Sequence, residues 1–254
     1  MEQTAPGTAN RPATHLRGWP DNRFYFFFGW LIAAIVIYGF AHTIPPRLLH
    51  AAIPRPRILW VHGAIFFAWI GLFIVQSFLV RSRNVRWHRA LGMMSLILGA
   101  ALVLFGISTS IAMARFNVAH GLHDAVYAAA FLSIPFNDMI LFSGALATAF
   151  WWRKRPDVHR RLMLVATCVL TPAAFSRFPF VAAQTFHGYV GVDALIAVGC
   201  VHDLVVHRRV HPAYTITLPV VLLGQVISTW LFLARPPWWV ELAQGLIVAG
   251  HPFE

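Results

Sequence analysis

The chain has 254 residues, 58% hydrophobic and 11% charged, with a mean hydropathy of +0.64. A soluble domain carries about a quarter charged residues, so this composition excludes one and points to an integral membrane protein. The formal net charge of +11 does not call for nucleic acid, because basic residues of membrane proteins gather in cytoplasmic loops.

Residues 1–22 are polar and rich in Pro, Thr and Gly. They lack a charged start followed by an apolar core, and read as a flexible tail rather than a cleaved signal peptide. Seven apolar segments follow, over 24–42, 58–80, 89–112, 129–151, 160–180, 187–206 and 214–234. Each is long enough to cross a bilayer as a helix. The expected fold is therefore all-α, a polytopic bundle of seven spans over residues 23–234. Residues 235–254, with Pro236, Pro237, Trp238 and Trp239, read as an interfacial segment with tryptophans at headgroup depth. With the N-terminus inside, the inner segments hold fourteen of the 20 Lys and Arg, and the outer ones six. That bias predicts a cytoplasmic N-terminus.

The third segment opens with a basic, aromatic collar ending in His88. Gly92, Ser95, Gly99 and Gly106 all fall within roughly 40° of that histidine around a helix. This groove of small residues suits either close helix packing or a flat prosthetic group. Its opening, RNVRWHRAL, is echoed by RPDVHRRLM at Arg155–Met163.

Topology sorts the ionisable residues by depth, and each one inside a span is a functional hypothesis. His88, His159, His202, Asp203 and His211 form an inner layer. His62, Asp138, Arg177 and Asp193 form an outer polar cluster. His62, Trp69 and Gln76, seven residues apart, share a stripe. Three readings stand at this point. His88 and His159, at one depth, suit the two axial ligands of a haem b, with arginines at the propionates. His88, His159 and Asp203 make a two-His-one-carboxylate set for a transition metal. The outer cluster suits a small-solute or proton-coupled carrier. Plain alternatives exist for each, including interfacial His-Arg pairs, structural ion pairs and a non-catalytic membrane subunit. HExxH, Walker, GxGxxG and GxSxG signatures are absent. Cys168 and Cys200 sit singly in apolar runs and suggest no thiolate cluster.

The ordered set WVHGAIFFAWIGLFIVQ, RWHRALG, IPFNDMILFSG, RPDVHRRLMLVAT, SRFP and VHRRVHPA resembles a widespread family of uncharacterised bacterial multi-span membrane proteins. That resemblance implies a bacterial inner-membrane location and no particular activity. HGAIFFAW and HRALG are also locally similar to histidine motifs of b-type transmembrane cytochromes, which implies His62 and His88 as ligands. The predicted topology puts those two at opposite membrane faces, so they cannot share one haem.

The sequence thus leads first to a membrane redox protein with haem b or a metal on His88 and His159, Asp203 being a third ligand or an acceptor for an imidazole N–H. The carrier stands second. No catalytic set is assigned. The expected partners are the lipid bilayer and either a membrane redox partner or a second copy of the chain, with no nucleic acid.

Overall fold

A computed structural model describes residues 19–179 and 187–248. The described residues form ten α-helices and no strand. They are α1 Trp19–Ala41, α2 Ile58–Arg81, α3 Val85–Ala119, α4 Ala125–Phe131, α5 Ser133–Trp151, α6 Pro156–Cys168, α7 Pro172–Phe175, α8 His187–His207, α9 Pro212–Ala234 and α10 Pro237–Val248. Six segments are long and apolar enough to cross a membrane: Arg23–Ala41, α2, α3, Ala125–Trp151, Gly188–His207 and α9. The protein is therefore a multi-pass helical membrane protein. Its outer faces carry the apolar side chains expected towards lipid, among them Ile97, Ile140, Leu104 and Val226.

The fifth predicted segment, 160–180, is not one continuous helix. It breaks into α6 and α7 around residues 169–171. The cause is Pro172, which has no N–H to give to the carbonyl of Cys168. That carbonyl is bonded instead by the Thr171 N–H at 3.0 Å and the Thr171 hydroxyl at 2.7 Å. The Cys168 carbonyl is thus satisfied at the break.

This broken helix is the most enclosed element of the bundle. Arg161, Leu162 and every residue from Leu164 to Val169 are buried. The Arg160 guanidinium lies over the ring of Tyr25 near the start of α1. At the other end, a Cβ on Gly39 would run into the backbone of Ala174, so α1 and α7 touch backbone to backbone. α6 and α7 therefore run alongside α1 from its beginning, here called the proximal end, to its finish, the distal end. α8 returns antiparallel, with Gly188 against Pro172 and Asp203 against Arg161. The central layer around them holds Trp69, Leu102, Phe142, Leu146 and Leu164. Trp69 closes that layer by donating its indole N–H to Thr167 at 3.3 Å.

The groove on α3 is used for packing over most of its length. A Cβ on Gly99 would meet Leu146, and one on Gly106 would meet Met139, both from α5. Only Gly92, near His88, has open space beyond a single contact to Gln76. The C-terminal segment is a helix against α3 and α4. Arg115 donates to the carbonyls of Ile247 and Leu246, both at 2.6 Å, and caps α10.

Proximally, Arg161 and Asp203 form a two-pronged ion pair, Nε–Oδ2 2.8 Å and Nη2–Oδ1 2.5 Å, with side chains 3% and 0% exposed. Removing one partner of such a pair strands the other charge and costs about 3–5 kcal/mol, whereas replacing both by apolar groups is close to neutral. Asp203→Leu is therefore expected to lower the melting temperature in detergent sharply. The double variant Arg161→Leu with Asp203→Leu should regain most of that loss. Equal melting of the two variants would contradict the pairing.

Candidate functional site: a distal cavity inside the bundle

The break in the central helix shapes a cavity of about 350 Å³ in the distal half. Leu170, Pro172 and Ala173, at the break, form one wall. α2 contributes His62 and Phe66; α3 contributes Gly106, Thr109, Ser110 and Met113. α4 adds Tyr127 and Phe131, α5 adds Asp138 and Met139, and α8 adds Tyr189. Ser176 and Arg177 follow α7 into the lining. The lining extends distally to Asn117 and His123, next to the α3–α4 loop. Towards the proximal end it stops at Gly106 and Met139, above the layer of Leu102, Trp69 and Phe142. Non-helical backbone at membrane depth is tolerated where it lines such a cavity.

Three of the four residues expected in the outer cluster meet here: His62, Asp138 and Arg177. The fourth does not. Asp193 turns to α9 and accepts a hydrogen bond from Gln225 at 3.0 Å.

Asp138 accepts hydrogen bonds from Tyr189 and Asn137. Those two are fixed in turn. Asn137 donates to the Tyr189 hydroxyl at 3.3 Å, and that hydroxyl lies 3.0 Å from the Ser228 hydroxyl. Ser133 donates to the Ser228 carbonyl at 2.8 Å. The carboxyl group is thus held on a rigid polar ladder joining α5, α8 and α9.

The His62 ring, which makes a backbone hydrogen bond to Phe105, carries its Nδ1 in the interior. That Nδ1 is buried and has no hydrogen-bond partner. Its ring packs on Phe66, centroids 4.2 Å apart. Arg177 donates to the Ala173 carbonyl and sits 4.5 Å from the centroid of the Phe40 ring. It is also within electrostatic reach of His62. Thr109 is 4% exposed, and its hydroxyl is buried without a partner.

The inner layer is arranged differently. His159 donates from Nδ1 to the Ala149 carbonyl at 2.9 Å. It lies within electrostatic reach of His88. The amide of Gln76, oriented to satisfy its neighbours, donates to His88 Nδ1 at 2.5 Å and to the His88 carbonyl at 3.1 Å. It also accepts from the Gly92 N–H at 2.9 Å. In that tautomer the His88 proton is on Nε2. Both Asp203 oxygens are taken by Arg161, and Oδ2 also accepts the His211 N–H at 3.1 Å. Among the described residues no three His, Cys, Asp or Glu side chains converge as a metal site. His202 stacks on Phe24 with centroids 3.8 Å apart.

Sequence alone places Arg161 only among the basic residues of the inner side, not as a buried partner. Asp203 within the sixth segment was the available signal, since a carboxylate at that depth requires a cation. Thr109, Asn137 and Tyr189 were also missed. Single hydroxyls and amides in apolar helices carry no spacing signature of their own.

No protein family, curated protein or solved structure matches this chain.

The proximal network gives a pH dependence. Ala213 N–H donates to His211 Nδ1 at 3.0 Å, so His211 Nε2 carries the proton and faces Asp157 at 3.2 Å. Burial and the nearby Arg161 hold His211 below its ordinary 6.5, against the pull of Asp157. Burial would raise Asp157, but the hydrogen bond from His211 and the charge of Arg155 outweigh it and hold the carboxyl below 3.8. Both groups bind fewer protons folded than unfolded, so both favour stability at higher pH. The melting temperature is expected to be level above pH 6.5 and to fall as the pH drops below it. His211→Gln should flatten the upper part of that fall.

Proposed function

We propose that this chain is a seven-pass carrier of the bacterial inner membrane, which binds a small solute in the distal cavity. The supporting observation is the cavity itself: a space between spans, lined by His62, Asp138 and Arg177 from three parts of the chain. Ionisable residues at that depth are costly and mark substrate paths. A mostly apolar pocket with a few convergent polar groups is the usual form of a ligand site.

In this reading α6 and α7 together make the seventh crossing. The proximal end, rich in Arg, faces the cytoplasm, as the distribution of basic residues predicts. The cavity then opens outward. The layer of Trp69, Leu102 and Phe142 closes it towards the cytoplasm, and the Arg161–Asp203 pair pins the helices below. A discontinuous helix at the binding site is a recurring feature of transporters. Inward release would require that pair and that layer to part.

A second reading, a redox protein with haem b between His88 and His159, keeps one specific support. His159 is oriented by its Nδ1–H···O=C bond and so presents the lone pair of Nε2, as histidine ligands commonly do. His88 would first have to release Gln76 and move its proton. A haem-free absorption spectrum of reduced protein, expressed with haem available, sinks this second reading and leaves the carrier untouched.

For the carrier, Ser110→Cys tests the cavity in a background with Cys168 and Cys200 replaced by Ala. A membrane-impermeant maleimide applied from the periplasmic side is expected to label Ser110→Cys and to leave Leu102→Cys unlabelled. No labelling at Ser110, or equal labelling at Leu102, would contradict an outward cavity with a closed floor.

A further inference from the structure

We propose that the solute is a small organic amine with an apolar body, held through its ammonium group by Asp138. The inference rests on the cavity being the binding site and adds its chemistry.

Asp138 is the acidic side chain of the cavity lining. Its hydrogen-bond partners, Tyr189 and Asn137, are neutral. The cationic side chain of the lining, Arg177, is engaged elsewhere, on the Ala173 carbonyl and the Phe40 ring. An ionised carboxylate in an apolar site without a counter-charge is costly. In the empty site the carboxyl escapes that cost as the neutral acid, and it ionises against a cation that a ligand supplies.

The unfilled hydrogen-bonding capacity points the same way. His62 Nδ1 and the Thr109 hydroxyl are buried with no partner. With the His62 proton on Nε2, these two and the Asp138 carboxylate offer three acceptors to one ligand. An ammonium brings three N–H donors and no acceptor, which is the complement of that set. An anion would leave the Asp138 carboxylate without a donor. The remaining wall, with Phe66, Met113, Phe131, Leu132 and Leu170, suits an apolar or aromatic body. A volume of about 350 Å³ lies at the lower end of ligand pockets. The proton balance is simple. A neutral Asp138 meeting a free amine and an ionised Asp138 meeting an ammonium give the same pair, with the proton on nitrogen. Binding then adds no net charge to the membrane interior beyond what the pair cancels.

The test compares three probes of similar shape on the full chain in nanodiscs: phenethylamine, 2-phenylethanol and 3-phenylpropionate. Binding is read as protection of Ser110→Cys from maleimide. Phenethylamine is expected to protect at concentrations at least tenfold below the alcohol, and the carboxylate not at all. Asp138→Asn should weaken the amine at least tenfold and leave the alcohol unchanged. Thr109→Val should weaken the amine and serves where Asp138→Asn folds poorly. Equal protection by amine and alcohol, better protection by the carboxylate, or no protection by any probe would overturn the amine. In that last case, continued labelling of Ser110→Cys from outside separates a wrong solute from a wrong cavity.

Discussion

The buried ion pair between Arg161 and Asp203 is the constraint on which the rest of the architecture depends. A full charge pair inside a bundle holds together only when all its hydrogen-bonding positions are met. Here the Asp203 oxygens take two guanidinium nitrogens and the His211 N–H, while Arg161 also donates to the Asp157 carbonyl at 2.7 Å. One residue pair thereby fixes the starts of α6 and α9 against the end of α8. With α6 pinned at its beginning, the depth of its break is set by chain length. Ten residues separate Arg161 from Thr171, about 15 Å along a helix, so Pro172 ends the helix beyond the middle of the bundle. The cavity lies where the helix stops.

That arrangement divides the labour between the two ends. Proximally three sets of polar groups satisfy one another: the Arg161–Asp203 pair, the His211–Asp157 contact and the clamp of Gln76 on His88 and Gly92. Distally, His62 Nδ1 and the Thr109 hydroxyl remain unmet and face a space. Polar groups with no partner inside a protein are expensive. At the cavity these two atoms are open to whatever occupies it.

Much of this was legible in the sequence. Helix length and hydropathy placed the six long spans, and α3 and the α4–α5 pair ran a few residues beyond the apolar limits. The alternation of spans sorted His62, Asp138 and Arg177 to one depth, and they do meet. Asp193 failed to join them because depth alone does not fix the face of a helix, and its face points to Gln225 on α9. The segment 160–180 looked like an ordinary span because hydropathy does not separate a lipid-facing helix from one buried among others. The closure of the helix by Thr171 before Pro172 depends on local geometry. The small-residue face of α3 favoured packing but left a cofactor slot open. The partners that decide between them, Leu146 and Met139, lie 47 and 33 residues further along the chain from Gly99 and Gly106.

The central claim is that a space lies between His62, Thr109 and Asp138 in the folded protein and holds something other than side chains. A cryo-EM or crystallographic map of the full chain in lipid tests it most directly. The account predicts an open cavity there, with density for water or a small molecule within hydrogen-bond distance of Asp138 and Thr109. A map in which Phe66, Phe131 and Met113 collapse to fill that space would contradict it.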